Sequence, residues 1–312
     1  MTARGSLFIC VAVLAFLSPA ASTGATTRVL DPASDPMPAL LGADAEEQFG
    51  FSLVACDLDS DGAMELLIGA PGLVDEEGVP HAGGIYVFDD TLAEVIEQWS
   101  RSASPPRSVP AEAAAVALIR GRVPMGRFGE SLATGDLDGD GIEDIAVGAP
   151  ASDSDRNISV GRVHIFFGRS VRSTSQLSEA DADVILTGTT GGARLGASLL
   201  AADLDADGAD ELIISAPGAG GSDARGPGTV FILGGSALRQ AASEQPTGAL
   251  PVDLWAEASL IGEAPGDALS ALAAGDLDGD GGIELVLGAH QRDGPDDSLI
   301  DAGRVYLVPA RE

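Results

Sequence analysis

The sequence has no lysine: its 17 basic residues are all arginines, against 48 acidic residues, and the formal net charge is −31. A chain this acidic repels phosphate groups, so nucleic acids and anionic membrane surfaces are poor partners, and we expect no nucleic-acid partner. Part of the charge is explained by an acidic, solubilising surface. Another part lies in a cluster of carboxylates that recurs along the chain.

Cysteine is also scarce, with only Cys10 and Cys56. Cys10 lies in the apolar run Leu7–Leu17, which follows Arg4 and precedes the small residues SPAAS, so we predict a secretory signal peptide at 1–22. A run of this length is too short to span a bilayer as a helix, and we expect no membrane span in the mature chain. Cleavage leaves Cys56 without a disulfide partner, and we interpret it as a buried small residue. The Pro-rich segment 23–38 is predicted to be a linker.

Residues typical of catalysis are few. The three histidines, His81, His164 and His290, do not recur with a common partner residue. The sequence also lacks a Gly-x-Ser-x-Gly nucleophile motif, a glycine-rich phosphate loop and a Cys/His set with zinc spacing. We therefore predict that the protein is not an enzyme.

The most informative stretch is GDLDGDGIEDIAVGAP at 135–150, in which Asp136, Asp138 and Asp140 alternate before Gly141, and Asp144 follows. Closely spaced carboxylates repel one another unless a cation joins them, and hard dications prefer several oxygen ligands. Gly141 permits a sharp turn that directs the next backbone carbonyl inward. This pattern predicts a calcium-binding loop.

The loop occurs four times in the same internal register, which predicts up to four Ca²⁺ ions. Each copy supplies carboxylates at positions 1, 3, 5 and 9 and a backbone carbonyl at position 7. The predicted ligands are Asp57, Asp59, Asp61, Ala63 and Glu65; Asp136, Asp138, Asp140, Ile142 and Asp144; Asp203, Asp205, Asp207, Ala209 and Glu211; and Asp276, Asp278, Asp280, Gly282 and Glu284.

The residues after each loop exclude an EF-hand, which has a bidentate Glu at position 12 and continues as a helix. Position 12 is apolar here, and each loop runs into a short apolar segment such as ELLIGAP or DIAVGAP. These segments have no polar alternation, so we predict strands that are buried on both faces.

Two further landmarks flank every loop. A Phe-Gly-like pair precedes the first Asp by eight residues, at Phe49-Gly50, Phe128-Gly129, Leu195-Gly196 and a degenerate Ala268-Leu269. A Gly-Ala-Pro-like triplet begins twelve residues after it, at Gly69, Gly148, Ser215 and Gly288. This pattern resembles the FG-GAP repeat of the integrin α-chain N-terminal β-propeller and its bacterial relatives. The resemblance implies one four-stranded blade per repeat, a structural Ca²⁺ between two strands, and a ligand surface opposite the calcium loops.

We therefore predict an all-β fold: a β-propeller-like domain over 39–312, with blades at about 39–90, 116–168, 184–235 and 258–309. The insertion after the first blade contains a helix-like LAEVIEQW. Ring closure has three possible forms. The strand ALLG at 39–42 closes a four-bladed ring on the last blade, the blades form an open arc, or several chains assemble to complete a ring.

For function, the resemblance implies a secreted or cell-surface calcium-binding module that mediates adhesion or binds an extracellular protein or glycan ligand. An alternative is a calcium-dependent propeller enzyme acting on polysaccharide, either a lyase or a hydrolase. A third interpretation is a structural component of the cell surface or matrix.

Overall fold

The computed structural model describes residues 39–310 apart from 75–76, 90, 102–107, 154–158, 172–176, 222–225, 245–247 and 294–299. These residues belong to the compact unit Pro38–Glu312. The predicted signal peptide and linker lie outside them. Among the described residues, no helix has the length and apolar character needed to cross a membrane.

The first half of the chain forms short strands, with helices only in the insertions. Its strands are β1 (Leu40–Leu41), β2 (Ser52–Cys56), β3 (Glu65–Gly69), β4 (Gly84–Phe88), β5 (Val109–Pro110), β6 (Ala117–Arg120), β7 (Ser131–Gly135), β8 (Asp144–Ala149) and β9 (Arg162–Phe166). Its helices are α1 (Thr91–Arg101), α2 (Ala111–Ala114) and α3 (Gly168–Val171). The helix expected in the first insertion corresponds to α1.

The second half repeats this arrangement. Its strands are β10 (Val184–Thr187), β11 (Leu199–Ala202), β12 (Glu211–Ala216), β13 (Thr229–Leu233), β14 (Leu250–Pro251), β15 (Ala258–Ile261), β16 (Leu269–Gly275), β17 (Glu284–Ala289) and β18 (Arg304–Val308). Helix α4 (Gly235–Glu244) and 3₁₀ turns at Glu179–Asp181 and Val252–Leu254 lie between them. The sequence pattern did not predict α4.

The strands form one antiparallel sheet per repeat, ordered β2-β3-β4-β6, β7-β8-β9-β10, β11-β12-β13-β15 and β16-β17-β18. Strand β14 adds to β10 in parallel, and β1 pairs in parallel with β5. The innermost strands β2, β7, β11 and β16 contact one another in chain order. The all-β, propeller-like array is confirmed. Among the described residues β1 pairs with β5 and with no strand of the last blade, so the form of ring closure stays open.

Each of the first three sheets buries one face against the next sheet. We call the face that contacts the following repeat the trailing face, and the face that contacts the preceding repeat the leading face. On the first sheet, Ile85 and Val87 lie on the trailing face, in one apolar cluster with Ile145 and Val147 on the leading face of the second. Equivalent clusters join the second sheet to the third and the third to the fourth. The apolar strands β8 and β12 lie between two such clusters, so both of their faces are buried, and every residue of these two strands is buried.

The Phe-Gly and Gly-Ala-Pro landmarks meet where neighbouring sheets touch. A Cβ atom on Gly69 would lie 2.1 Å from the carbonyl oxygen of Gly129, and one on Gly148 would lie 2.2 Å from that of Gly196. Ser52 and Ser131 donate hydrogen bonds of 2.7 Å to the same two carbonyls. The two motifs are therefore the two sides of one backbone contact between consecutive repeats, and glycine is needed because a side chain has no room there.

The fourth repeat shifts its first landmark by one residue from the predicted Ala268-Leu269. Leu269 donates its N–H to Pro227, as Phe128 does to Ala82 and Leu195 to Val160 in the earlier repeats. Leu269 thus occupies the phenylalanine position, and Ala268 has the left-handed backbone, with φ of 53°, that precedes this position in every repeat. A register irregularity between Leu269 and Ala271 accommodates the missing residue.

Cys56 is fully buried and, as predicted, is a small core residue. Burial raises the pKa of its thiol to about 12, so the thiol stays protonated at neutral pH. His164 is also buried, and desolvation lowers the pKa of its imidazole to about 3. Its ring packs edge-on against Phe128 at 5.2 Å, as Tyr86 packs against Phe49. His164 thus fills a core aromatic position.

Candidate metal sites

The second acidic loop, 136–144, shows how the sequence builds the candidate site. Asp136 accepts hydrogen bonds from the N–H groups of Asp140, at 2.9 Å, and Gly141, at 2.8 Å. Asp138 also accepts from Asp140, at 3.1 Å. Alternating aspartates therefore fold the backbone around themselves, as Asx side chains do in tight turns. Gly141 has φ of 84°, a conformation that favours glycine and turns the chain back toward β8.

The carboxylate at position 9 closes the loop from the first residue of the following strand. Asp144 accepts hydrogen bonds from Leu137 at 2.9 Å and Asp138 at 3.1 Å through one oxygen, and from Gly168 at 2.8 Å through the other. The side chain is fully buried. It therefore ties the start of the loop to the first residue of α3.

Several of these hydrogen bonds recur in the other three loops. The first Asp accepts from the Gly at position 6 in each, at 3.0 Å for Asp57, 3.1 Å for Asp203 and 3.1 Å for Asp276. The Glu at position 9 accepts from the residue at position 2, at 2.7 Å for Glu65, 2.7 Å for Glu211 and 2.8 Å for Glu284. Sequence repetition is thus matched by repetition of local structure.

Carboxylates converge in every loop. In each, one ligand atom from each of three acidic residues lies within 4.8 Å of the other two. The groups are Asp57, Asp59 and Asp61; Asp136, Asp138 and Asp144; Asp203, Asp205 and Glu211; and Asp276, Asp278 and Glu284. Three carboxylate oxygens at this separation provide part of the oxygen ligand set that a hard dication takes.

The remaining predicted ligands lie on the same loops but outside these groups. Glu65 and the third aspartates Asp140, Asp207 and Asp280 are not members of the groups in their loops. Asp140 pairs instead with Arg169 of α3, at 2.6 Å. The position-7 residues Ala63, Ile142, Ala209 and Gly282 each donate their N–H to the third aspartate at 2.7–2.9 Å. Ligation by their carbonyls stays a prediction.

Burial acts against the charged form of the deepest carboxylates. It raises the pKa of Asp144 and of Glu211 to about 7 each. Desolvation, followed by repulsion from Asp140, raises the pKa of Asp138. A bound dication favours the ionised form of its ligands and therefore lowers these pKa values. The loops thus suit a cation electrostatically as well as geometrically.

Neighbouring loops are joined by carboxylates that the sequence analysis did not single out. Asp210, at position 8 of the third loop, accepts a 3.0 Å hydrogen bond from the N–H of Asp136, and its own N–H donates to the Asp136 carbonyl at 2.9 Å. Glu143 of the second loop likewise accepts from the N–H of Asp57. The sequence feature that marks these two carboxylates is an acidic residue at position 8 of the loop. The first and fourth loops have Met64 and Ile283 at this position.

Comparison with known proteins defines the class. The FG-GAP repeat family model matches residues 49–88, 128–166 and 195–233, which are the first three repeats of the structure. The chain therefore contains FG-GAP repeats and is similar to integrin α chains. The fourth repeat has the same acidic loop and inner strands, with Leu269-Ser270 in place of Phe-Gly.

Two of the similar curated proteins match this chain over part of its length. The chain is 31% identical over 191 residues to phosphatidylinositol-glycan-specific phospholipase D of Bos taurus, and 34% identical over 186 residues to integrin alpha-5 of Xenopus laevis. These matches cover 61% and 57% of this chain but only 21% and 15% of the relatives. A crystal structure of the V. cholerae biofilm matrix protein Bap1 aligns with 72% of this chain and 30% of its own, at 14% identity and a TM-score of 0.28.

Proposed function

We propose that the protein is a secreted calcium-binding FG-GAP module that binds an extracellular protein or glycan ligand and acts without catalysing a reaction. One observation carries the proposal: the same acidic loop, with the same internal hydrogen bonds, recurs in all four sheets of one array. Among the described residues, the acidic groups that could hold a cation are these four loops, and a loop repeated at the same place in every sheet serves to hold the fold in shape. Ligand binding then falls to the surface that the array presents.

In this proposal calcium is structural. Each ion joins the aspartates of a turn to the acidic residue that begins the next strand, so it fixes the turn between two strands of one sheet. Up to four Ca²⁺ ions are held, by the residues at positions 1, 3, 5, 7 and 9 of each loop. Modest affinity is sufficient in an extracellular setting, where calcium modules work with dissociation constants of about 10⁻⁴–10⁻³ M.

The ligand class is inferred from two features. The strong negative charge disfavours phosphate-rich partners and leaves proteins and neutral or basic glycans. One relative is named for a phosphatidylinositol-glycan, and others are integrin α chains. We therefore expect adhesion or recognition at the cell surface, through loops opposite the calcium loops.

The metal assignment predicts a change in stoichiometry. Replacing Asp136 and Asp140 by Ala removes two carboxylates and the N–H acceptor that shapes the second loop, so we expect about one bound calcium fewer per chain. Calcium content after equilibrium dialysis measures this. The matched control replaces Glu94 and Glu112, two exposed acids outside the loops, by Ala and should leave the content unchanged. Equal calcium content in all three proteins would refute the ligand assignment.

The binding function is tested by screening the calcium-loaded chain against protein and glycan arrays, in parallel with turnover assays on polysaccharides. We expect saturable binding to a defined ligand in the presence of calcium. This binding should be lost when a chelator removes the calcium. Degradation of a polysaccharide would replace the proposal with the calcium-dependent lyase or hydrolase. A calcium-loaded chain that binds nothing on either array would favour a structural component of the cell surface.

A further inference from the structure

The fourth sheet has one strand fewer than its predecessors. In the first three sheets the aromatic strand bonds an outer strand, which is the lead strand of the next repeat: β4 with β6, β9 with β10, and β13 with β15. The fourth sheet ends at β18, and within the described part of the chain no strand pairs with its outer edge. An exposed strand edge is a template for pairing with another strand.

Strand β1 is an outer strand that lacks this partner. Leu41 precedes Gly42, as Arg120, Thr187 and Ile261 precede the glycines that end β6, β10 and β15. Leu40 packs in an apolar cluster with Ile68 and Tyr86 on the leading face of the first sheet. Ile119, Leu186 and Leu260 occupy the same place in the three clusters between sheets. Like β10, which pairs with β14, β1 has a parallel neighbour on one side; unlike β10, it has no antiparallel aromatic strand on the other among the described residues.

The trailing face of the fourth sheet is apolar and exposed. Val305 and Leu307 are 65% and 67% exposed, whereas their counterparts Ile85 and Val87 in the first sheet are 0% and 6% exposed. Their strand partners on this face are Gly288 and Val286, which in turn pair with Ala271 and Ala273. This face therefore matches the trailing faces that the earlier sheets bury.

The leading face of the first sheet is open at its inner strand. Leu53 is 59% exposed. In the later repeats the corresponding leucines, Leu132, Leu199 and Leu272, all pack into the cluster shared with the preceding sheet. Leu53 therefore occupies a position that packs against a preceding sheet in each of the other three repeats.

We propose that a second copy of this chain supplies both missing parts. Strand β1 of one copy pairs antiparallel with β18 of its neighbour, in the register of the other sheets: Arg304 opposite Leu41, Val305 opposite Leu40 and Tyr306 opposite Ala39. The pairing completes the fourth sheet, and it places Val305 and Leu307 against the leading face that carries Leu53.

We assign a second copy of this chain as the partner because the same kind of sheet-to-sheet interface already occurs within the molecule. Three sheet-to-sheet contacts of this chain join a trailing face to a leading face through the same apolar positions, and each includes an outer strand placed like β1. The two unmatched surfaces are the two sides of this contact, one at each end of the row of sheets. A contact between unlike surfaces is heterologous, so it closes a ring or continues as a chain of copies.

Two face variants and their mixture test the proposal. Leu53→Glu and Leu307→Glu each place a charge on one side of the contact at an exposed position, so the fold is retained. Each variant alone should be monomeric by analytical ultracentrifugation of the full chain with calcium, while the wild type assembles. The Leu53→Glu variant keeps an intact trailing face on its fourth sheet, and the Leu307→Glu variant keeps an intact leading face on its first sheet. An equimolar mixture should therefore form a dimer through one intact junction.

The control is Leu254→Glu, which changes a leucine that is 77% exposed and lies on neither face; it should assemble like the wild type. Melting temperatures of the three variants check that they are folded. A wild type that stays monomeric throughout the micromolar range, as closure within one chain would produce, overturns the proposal. Assembly of either face variant alone, or failure of the folded variants to combine, also overturns it.

Discussion

Removing calcium is expected to lower the melting temperature of the protein by about 20 °C or more. Ligand present at about 100 times its dissociation constant contributes about 2.7 kcal/mol per site, and four sites act on one array. Each kcal/mol corresponds to about 2–4 °C for a domain of this size class. The physical reason is the repulsion among carboxylates, which lie within 4.8 Å of one another in every loop.

Calorimetry or circular dichroism with calcium, and after addition of a chelator, measures the shift. The same chelator preloaded with calcium is the control, because it reproduces the ionic strength without removing the metal. Restoring calcium should recover the original transition. A melting temperature that the chelator leaves unchanged would show that the loops do not depend on a cation.

Substituting Gly148 by Ala is expected to destabilise the fold by about 3 kcal/mol, at the upper end of the usual range for overpacking. The new Cβ would lie 2.1 Å from Ser131 Oγ and 2.2 Å from the carbonyl oxygen of Gly196, so the second and third sheets must move apart. The midpoint of urea unfolding, with calcium present, measures the loss.

Gly275→Ala is the matched control, since it also adds one methyl group to a strand glycine. A Cβ at Gly275 meets no atom within 4 Å, and the equivalent positions already carry the side chains of Cys56 and Ala202. We expect the free energy of unfolding of this variant to lie within about 0.5 kcal/mol of the wild-type value. Similar stabilities for the two variants would mean that the Gly148–Gly196 contact does not hold the sheets together.

The acidic loops could be predicted from the sequence because the hydrogen bonds that shape each turn are local. Asp136 accepts hydrogen bonds from the N–H groups of the residues four and five positions later. The spacing of aspartates and glycine in the sequence is therefore enough to predict this turn. The link between Asp136 and Asp210 spans 74 residues. It could not be predicted, because it depends on how two sheets are placed side by side and not on either loop.

The position of the fourth landmark was missed for a similar reason. Counting back from Asp276 assumes that every strand into a loop has the same length, whereas β16 is irregular between Leu269 and Ala271. Without Phe-Gly to mark the position, only the hydrogen bond from Leu269 to Pro227 in the preceding repeat identifies it. Helix α4 was missed because it lies between the third and fourth predicted blades, where the repeat pattern gives no signal.

The paired glycines have a consequence for how such proteins grow. Since Gly148 belongs to one repeat and Gly196 to the next, the sequence motif describes a joint and not a self-sufficient unit. A duplicated repeat carries a Phe-Gly-like motif and a Gly-Ala-Pro-like motif, one for the contact with each neighbouring repeat. It therefore fits between any two existing repeats without new complementary mutations. Gene duplication can therefore lengthen or shorten the array one member at a time, and the number of blades is free to differ among descendants of one ancestor.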